Sequence, residues 1–304
     1  AVTRLQLTNF RSYAGAALTV EAAPVVLAGP NGAGKTNMLD AISLLSPGRG
    51  LRGARLGDHA RKGPATADGT LWAVAATVAR GDASHEIGTG IVQDIANRPG
   101  SETRLGKREV RLNGAAASSS AELGDIVQLI WLTPAMDRLF IESASGRRRF
   151  LDRLVLGFEP SHARASTRYE TAMRERARLL KYGPRDPGWL DGLENEMAEA
   201  GIEIARARAA VVEKLSGALA ERGNAGAFPA AALSLSDALH QSSAGALRDG
   251  FAAGRMRDAE AGRTLAGPHT TDLNVRHTAR RMEARDCSTG EQKALLVSII
   301  LAEA

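Results

Sequence analysis

Cysteine is all but missing from this sequence: Cys287 is the single one, so no disulfide can form within the chain. Aromatic residues are also scarce, at 4%, which leaves Leu, Val, Ile and Ala to build a core. No apolar run reaches the ~18 residues of a membrane-spanning helix, and no segment reads as a secretory leader. The expectation is a cytoplasmic protein with no membrane contact. Charge of one sign is not in large excess either. With 39 basic and 34 acidic residues the formal charge is +5, mildly basic, so the places where arginines cluster matter more than the total. What is present is length and apolar content: 304 residues, 44% hydrophobic, enough for about two domains with real cores.

The texture changes along the chain. "VTRLQLT" (2–8) alternates like a strand, and "ALTVEAAPVVLAG" reads as two more, the second a buried apolar run ending at Gly29. Lys35 to Leu45 reads as a helix with Met38, Leu39, Ile42 and Leu45 on one face, stopped by Pro47. From Leu71 to Asn113 short alternating runs separated by turn residues predict an antiparallel meander. "IVQLIWLT" (126–133) predicts a further buried strand. From Ser145 to about Glu221 the sequence is helix-forming, with helices expected over 147–157, 161–182 and 189–221. The last two are broken by "YGPRDPGW" and should pack antiparallel. "AFPAAALSLS" reads as a strand and 244–260 as a helix; "TLAGPH" and "DLNVRH" have strand texture, and a last helix starts at Gly290. This divides the chain into 1–144 as the N-terminal part of an α/β head, 145–260 as an inserted helical, coiled-coil-like arm lobe, and 261–304 as the C-terminal part of the head.

The strand-to-helix junction holds Gly29-Pro30-Asn31-Gly32-Ala33-Gly34-Lys35-Thr36, which fits G-x-x-x-x-G-K-[ST]. Such a loop must curl consecutive backbone N–H groups around a phosphate, and side chains on the glycines would block the approach. The following helix aims its positive end at the same anion. Lys35 reaches the β and γ phosphates, Thr36 ligates Mg²⁺, and Asn37 follows directly. ATP with Mg²⁺ is the predicted ligand.

A second turn lies near the other end, in "CSTGEQKALLVSIILAEA". Ser288, Thr289, Gly290 and Gln292 open an apolar helix and offer a hydroxyl and bare backbone to a phosphate. One γ-phosphate does not need two such surfaces in one chain, so the turn reads as one presented to the nucleotide of a second copy. The plainer reading is a helix cap, a capping box with Glu291 at its third position.

"LQLTNFRSY", "GPNGAGKTNMLDAI", "RRRFLD" (147–152), "GRTLAGPH" (262–269) and "STGEQKALL" occur in one order over almost the whole chain. In this the sequence resembles the RecF family of bacterial recombination mediators, related to the SMC heads. The resemblance implies an α/β fold: an ABC-type P-loop ATPase head with an antiparallel meander and an inserted helical lobe. It implies a weak ATPase, converting ATP to ADP and phosphate, whose heads dimerise on ATP and bind duplex DNA at single-strand gaps. RecR and RecO are the implied partners. It also places Arg11 near the nucleotide. The alternative is a nucleotide-switched interaction protein without significant hydrolysis.

Three departures stand out. Thr270 and Thr271 follow "GPH", where the family has an arginine and then an acid, which counts against a charge role at that point. "LTPAMDRL" carries no Gln where a Q-loop is expected. The Asp-Glu strand that supplies the general base and the switch histidine lies outside the sequence, so the expectation is an incomplete head.

Basic residues recur after the P-loop helix (Arg49, Arg52, Arg55), at Arg147 to Arg149, and along the first long helix (Arg164, Arg168, Arg174, Arg176, Arg178, Lys181). With no base-reading motif and no aromatic platform, they point to sequence-independent duplex binding through phosphates, with Arg49, Arg52, Arg55, Arg164 and Arg168 as the candidates. The plainer reading of the helical arginines is a solvated face paired with Glu170 and Glu175. His162, His240 and His269 have no metal-ligand spacing.

Overall fold

The computed structural model describes residues 1–62, 70–92, 107–183, 187–222 and 228–303. The chain divides into two compact units, Ala1–Leu129 and Ile130–Ala304.

The first unit is built on one antiparallel sheet. Strand β1 (Val2–Phe10) lies between β2 (Tyr13–Thr19) and β3 (Thr70–Arg80), followed by β4 (Ala83–Val92), β5 (Arg108–Leu112) and β6 (Ala115–Ala116). The period-two pattern puts Leu5 and Leu7 on one face with Trp72, Val74, Ala76 and Val78. Leu7 stands opposite Val74 and Leu5 opposite Ala76. Helix α1 (Lys35–Ser43) joins this core through Ala41, with Leu44 and Leu45 just beyond it. Each fully buried leucine contributes about 1.5–3 kcal/mol. Of the expected apolar face of α1, Met38, Ile42 and Leu45 do pack into the core, but Leu39 is exposed and Asp40 takes a buried position. A short helix α2 (Leu123–Ile126) follows the sheet, entered through a capping box at Ser119 and Glu122.

The far end of α1 is tied to β5 by Arg108. Its guanidinium donates to the carbonyls of Leu44 and Gly48 and to the Thr89 hydroxyl. These are neutral oxygens, and burial pushes the guanidinium down to about 10.

Two expected strands are not there. Residues 24–29 carry no secondary structure, with Val25 and Val26 exposed, Val26 by 89%. Residues 127–133 likewise run as an irregular segment after α2, into a 3₁₀ turn at Pro134–Arg138. Both runs have apolar texture suited to a doubly covered parallel strand. Such a strand exists only by pairing with neighbours, and no described strand bonds to either.

The second unit is mainly helical: α3 (Ala144–Phe158), α4 (His162–Tyr182), α5 (Pro187–Arg222), α6 (Ala244–Ala261) and α7 (Thr289–Glu303). A small antiparallel sheet joins them, with β7 (Ala231–Leu235) beside β8 (Leu273–His277) and β8 beside β9 (Met282–Glu283). Contacts show α4 and α5 antiparallel: Arg168 meets Glu203, Arg176 meets Glu194, and Leu180 shares a cluster with Leu190. Residues 184–186 of the "YGPRDPGW" break lie outside the described residues. The core behind α3 and α7 gathers Phe150, Leu154, Val211, Leu215, Val275 and Leu296. "TLAGPH" is a turn and not a strand: Arg263 N–H bonds the Asp258 carbonyl that ends α6, and Thr270 closes back on Gly267. No described helix is long and apolar enough to cross a membrane.

Candidate nucleotide site

Three glycines shape the loop ahead of α1. Gly29, Gly32 and Gly34 have φ of 150°, 86° and 93°, all in the region that side chains disfavour. At Gly34 a Cβ would also lie 2.5 Å from the Tyr13 hydroxyl, whereas at Gly32 it would meet nothing within 4 Å. Gly34 accepts from the N–H groups of Asn37 and Met38, which starts the helix. No side chain caps this end and no acid stands in its first turn. The first N–H groups and the positive end of the helix dipole are therefore left to a ligand. Lys35 folds back, its ammonium donating to the Gly29 and Pro30 carbonyls at 2.6 and 2.7 Å. A cation held only by the loop's own carbonyls can move to phosphate oxygens. Thr36 is exposed beside it. Bare helix N–H groups, a mobile ammonium and a free hydroxyl on a glycine frame form a donor set that fits a polyphosphate with Mg²⁺. No group of three His, Cys, Asp or Glu side chains among the described residues forms a metal cluster of its own.

Arg11 lies at the tip of the β1–β2 hairpin, with φ 51°. Its guanidinium approaches Asp40 Oδ2 through Nη2 at 2.9 Å and Nε at 3.1 Å, and its Nη1 donates to the Asp58 carbonyl. Ser12 Oγ accepts from Asn37 Nδ2, and Arg52 donates to Asn37 Oδ1. Asp40 is fully buried. Burial pushes its carboxyl up, but His59, whose Nδ1 is 3.6 Å away, and the Arg11 guanidinium outweigh this and hold it below the usual carboxylate range. His59 is sealed between Phe10, stacked at 5.7 Å, and Trp72, edge-on at 5.5 Å. The resemblance pointed to Arg11; the structure sets Asp40 against it and His59 against Asp40, two residues that the sequence alone did not single out. The spacing of Asp40 from Asn37 and Gly34 was the available signal.

The second turn is exposed. Ser288 donates its hydroxyl and its N–H to Glu291 Oε2, at 2.8 and 2.9 Å, while Glu291 N–H bonds back to Ser288 Oγ. This is the capping box. Arg280 stands 2.5 Å from the other Glu291 oxygen. Gln292 is buried, and its amide donates to the Cys287 carbonyl, pinning the turn. Thr289 and Gly290 are open to solvent, with nothing within 4 Å of a Cβ at Gly290.

The basic candidates separate. Arg49, Arg55 and Arg164 are exposed. Arg52 is held by Asn37 and stands 3.7 Å from Asp40. Arg168 bonds Glu196 and Glu203 and lies 3.9 Å from Glu199, so its charge is largely answered within the helix pair. Arg176, taken as part of a solvated face, is instead wholly buried, bonding Glu194, Asp258, Thr264 and the Phe251 carbonyl. Glu170 offers Arg174 its backbone carbonyl, while Glu175 does stand beside Arg178. Charge does act after "GPH": Asp272 pairs with Arg147, and the Thr271 carbonyl accepts from Arg148.

The RecF/RecN/SMC N terminal domain family matches the chain over residues 1–304. The chain is 49% identical over 311 residues to the DNA replication and repair protein RecF of Agrobacterium fabrum (strain C58), which spans 100% of this chain and 80% of the relative. The chain belongs to the RecF family. The RecF protein of Rhizobium rhizogenes (strain K84) is likewise 49% identical over 310 residues, at the same coverage. Solved structures agree in fold. A structure of the recombination mediator protein RecF with ATPrS in the RecFOR pathway superposes with a TM-score of 0.82 at 20% identity, covering 100% of this chain and 80% of that one. The corresponding RecF–ATP structure gives 0.81, with 99% and 79% covered. The fold is the α/β ABC-type head of RecF, with its antiparallel meander and helical part.

Proposed function

We propose that this RecF-family chain is an ATP-dependent, dimerising DNA-binding ATPase of recombinational repair. The observation that carries the reading is the P-loop: three positive-φ glycines, an uncapped helix start, and Lys35 held only by loop carbonyls. In this reading residues 29–36 cradle the phosphates, Lys35 leaves Gly29 and Pro30 for the β and γ oxygens, and Thr36 holds Mg²⁺. The metal supplies charge neutralisation at the transferred phosphoryl group. The Ser288-Thr289-Gly290 turn of one copy then closes on the nucleotide of a second, so ATP favours the dimer and ADP releases it. Residues 1–144 and 261–304 make up the head and 145–260 the inserted lobe. Exposed arginines such as Arg49, Arg55 and Arg164 meet duplex phosphates without reading bases. The reading takes DNA gaps as the site of action, RecO and RecR as partners and the cytoplasm as the compartment; solved RecF structures set in the RecFOR pathway, and relatives named for DNA replication and repair, support its repair setting.

Lys35→Met tests the core of the reading. It should lower ATP affinity at least ~100-fold by calorimetry, because the mutated group is the ammonium at the β and γ phosphates. Unchanged affinity overturns the assignment. Duplex binding should weaken steeply with salt and ignore sequence.

A further inference from the structure

Phosphate binding accounts for one end of α1 but not for the row of contacts along its side. Gly34, Asn37 and Asp40 are three residues apart and so share a face. The hairpin tip runs along that face in the opposite direction. Tyr13 lies against Gly34, Ser12 bonds Asn37, and Arg11 pairs with Asp40. The last rung differs in kind. Asp40 is fully buried, and its Oδ2 faces Arg11 at 2.9 Å, Arg52 at 3.7 Å and His59 at 3.6 Å, while Oδ1 has no hydrogen-bond partner. A buried carboxylate is a costly way to fasten a hairpin that apolar packing would hold as well. What a carboxylate does, and a leucine does not, is fix the direction of a cation. Here one negative charge meets two guanidiniums, leaving one positive charge over. Asp40 follows Thr36 by one helical turn, about 6 Å along the axis.

We infer that Asp40 is a positioning residue for the phosphate site: its carboxylate sets the guanidinium of Arg11 beside the P-loop, so that the surplus positive charge of the cluster stands one turn from Thr36, toward a bound nucleoside triphosphate. This rests on the nucleotide-binding reading. Asp40 does not touch the nucleotide. It acts through Arg11, whose left-handed backbone and bond to the Asp58 carbonyl leave it a single stance. The lowered carboxyl pKa keeps Asp40 ionised at neutral pH.

The test is a double-mutant cycle on ATP affinity, measured by calorimetry with the full chain, and melting without nucleotide to report the fold. Asp40→Asn keeps the shape and removes the charge. It should weaken ATP binding about tenfold, as expected for one charge-assisted contact misplaced. Arg11→Ala should weaken it similarly, and the double variant should be no weaker than Arg11→Ala alone. An Asp40→Asn loss as large in the Arg11→Ala background as in the parent shows that Asp40 serves only the fold, and overturns the inference. So does Asp40→Asn binding ATP as the parent does. Lys35→Met separates the two levels. If it leaves affinity unchanged, the nucleotide reading fails and takes this inference with it; if binding depends on Lys35 but not on Asp40, the inference alone fails. Should Asp40→Asn not fold, Arg11→Lys answers the question. Lysine keeps the charge but cannot meet Asp40 through two nitrogens, so it should lose most of the same tenfold, and parent-like affinity would overturn the proposal.

Discussion

Arg147 and Asp272, 125 positions apart, meet fork to fork: Nε to Oδ1 at 2.9 Å and Nη2 to Oδ2 at 2.6 Å. The pair ties the start of α3 to the start of β8, and both side chains are mostly shielded from solvent. The Arg147 guanidinium also donates to the Phe140 and Glu142 carbonyls. Arg147→Ala should therefore lower stability by about 1.5–3 kcal/mol in urea unfolding. Arg147→Lys should recover little, since an ammonium cannot match both carboxylate oxygens.

A larger loss is expected inside the helical unit. Arg176 bonds Glu194 and Asp258, and all three are buried. Arg176→Met strands Asp258 without its guanidinium partner and should cost about 3–5 kcal/mol. Arg255 still serves Glu194, so the protein should weaken without losing the helix pair, with far-UV circular dichroism retained at low temperature.

The glycines of the loop should not be equivalent. Gly32→Ala meets open space and carries only the backbone penalty, about 1 kcal/mol. Gly34→Ala carries that penalty and also drives a methyl into Tyr13. Melting without nucleotide should rank Gly34→Ala clearly below Gly32→Ala, and equal melting would contradict this geometry.

His269 gives the helical unit a sensitivity to mild acid. Its Nε2 bonds the Thr264 carbonyl, and so donates, while its Nδ1 accepts from the Tyr169 hydroxyl at 2.7 Å; the ring is neutral in this arrangement. Burial lowers its pKa, the Thr264 bond works against that, and the Arg148 charge adds to it. A depressed folded value means the unfolded chain binds the proton first. Stability from this site is therefore complete above the unfolded value of about 6.5 and falls as pH drops below it. The melting temperature of the parent should decline from pH 7 to 5, and less steeply in His269→Gln.

Much of this was legible because it depends on local rules. The meander shows a period of two on "LWAVAATVAR", and α4 and α5 carry long apolar stripes, so their existence follows from neighbours in sequence. The phosphate loop is legible because glycines, lysine and threonine hold fixed offsets. "PVVLAG" and "IVQLIWLT" mark the limit. Apolar texture says what a segment would bury, but not what it would bond to, and neither meets a partner strand among the described residues. Arg176 marks another. Seen along α4 it belongs with Arg174 and Arg178, yet its place is decided by Glu194 and Asp258 on two other helices. Asp40 escaped for the same reason: its meaning comes from Arg11, Arg52 and His59, which no short window contains together.

Arg108 gives α1 a polarity that outlasts any ligand. By gripping the carbonyls of Leu44 and Gly48 with a buried charge, it quenches the negative pole of the helix from outside. The positive pole, at Gly34, has no such counterweight. The helix is thus terminated at one end only, like a line grounded on one side, and its field is felt at the loop. Because Arg108 and Tyr13 belong to strands of one sheet, that sheet clamps both ends of the helix.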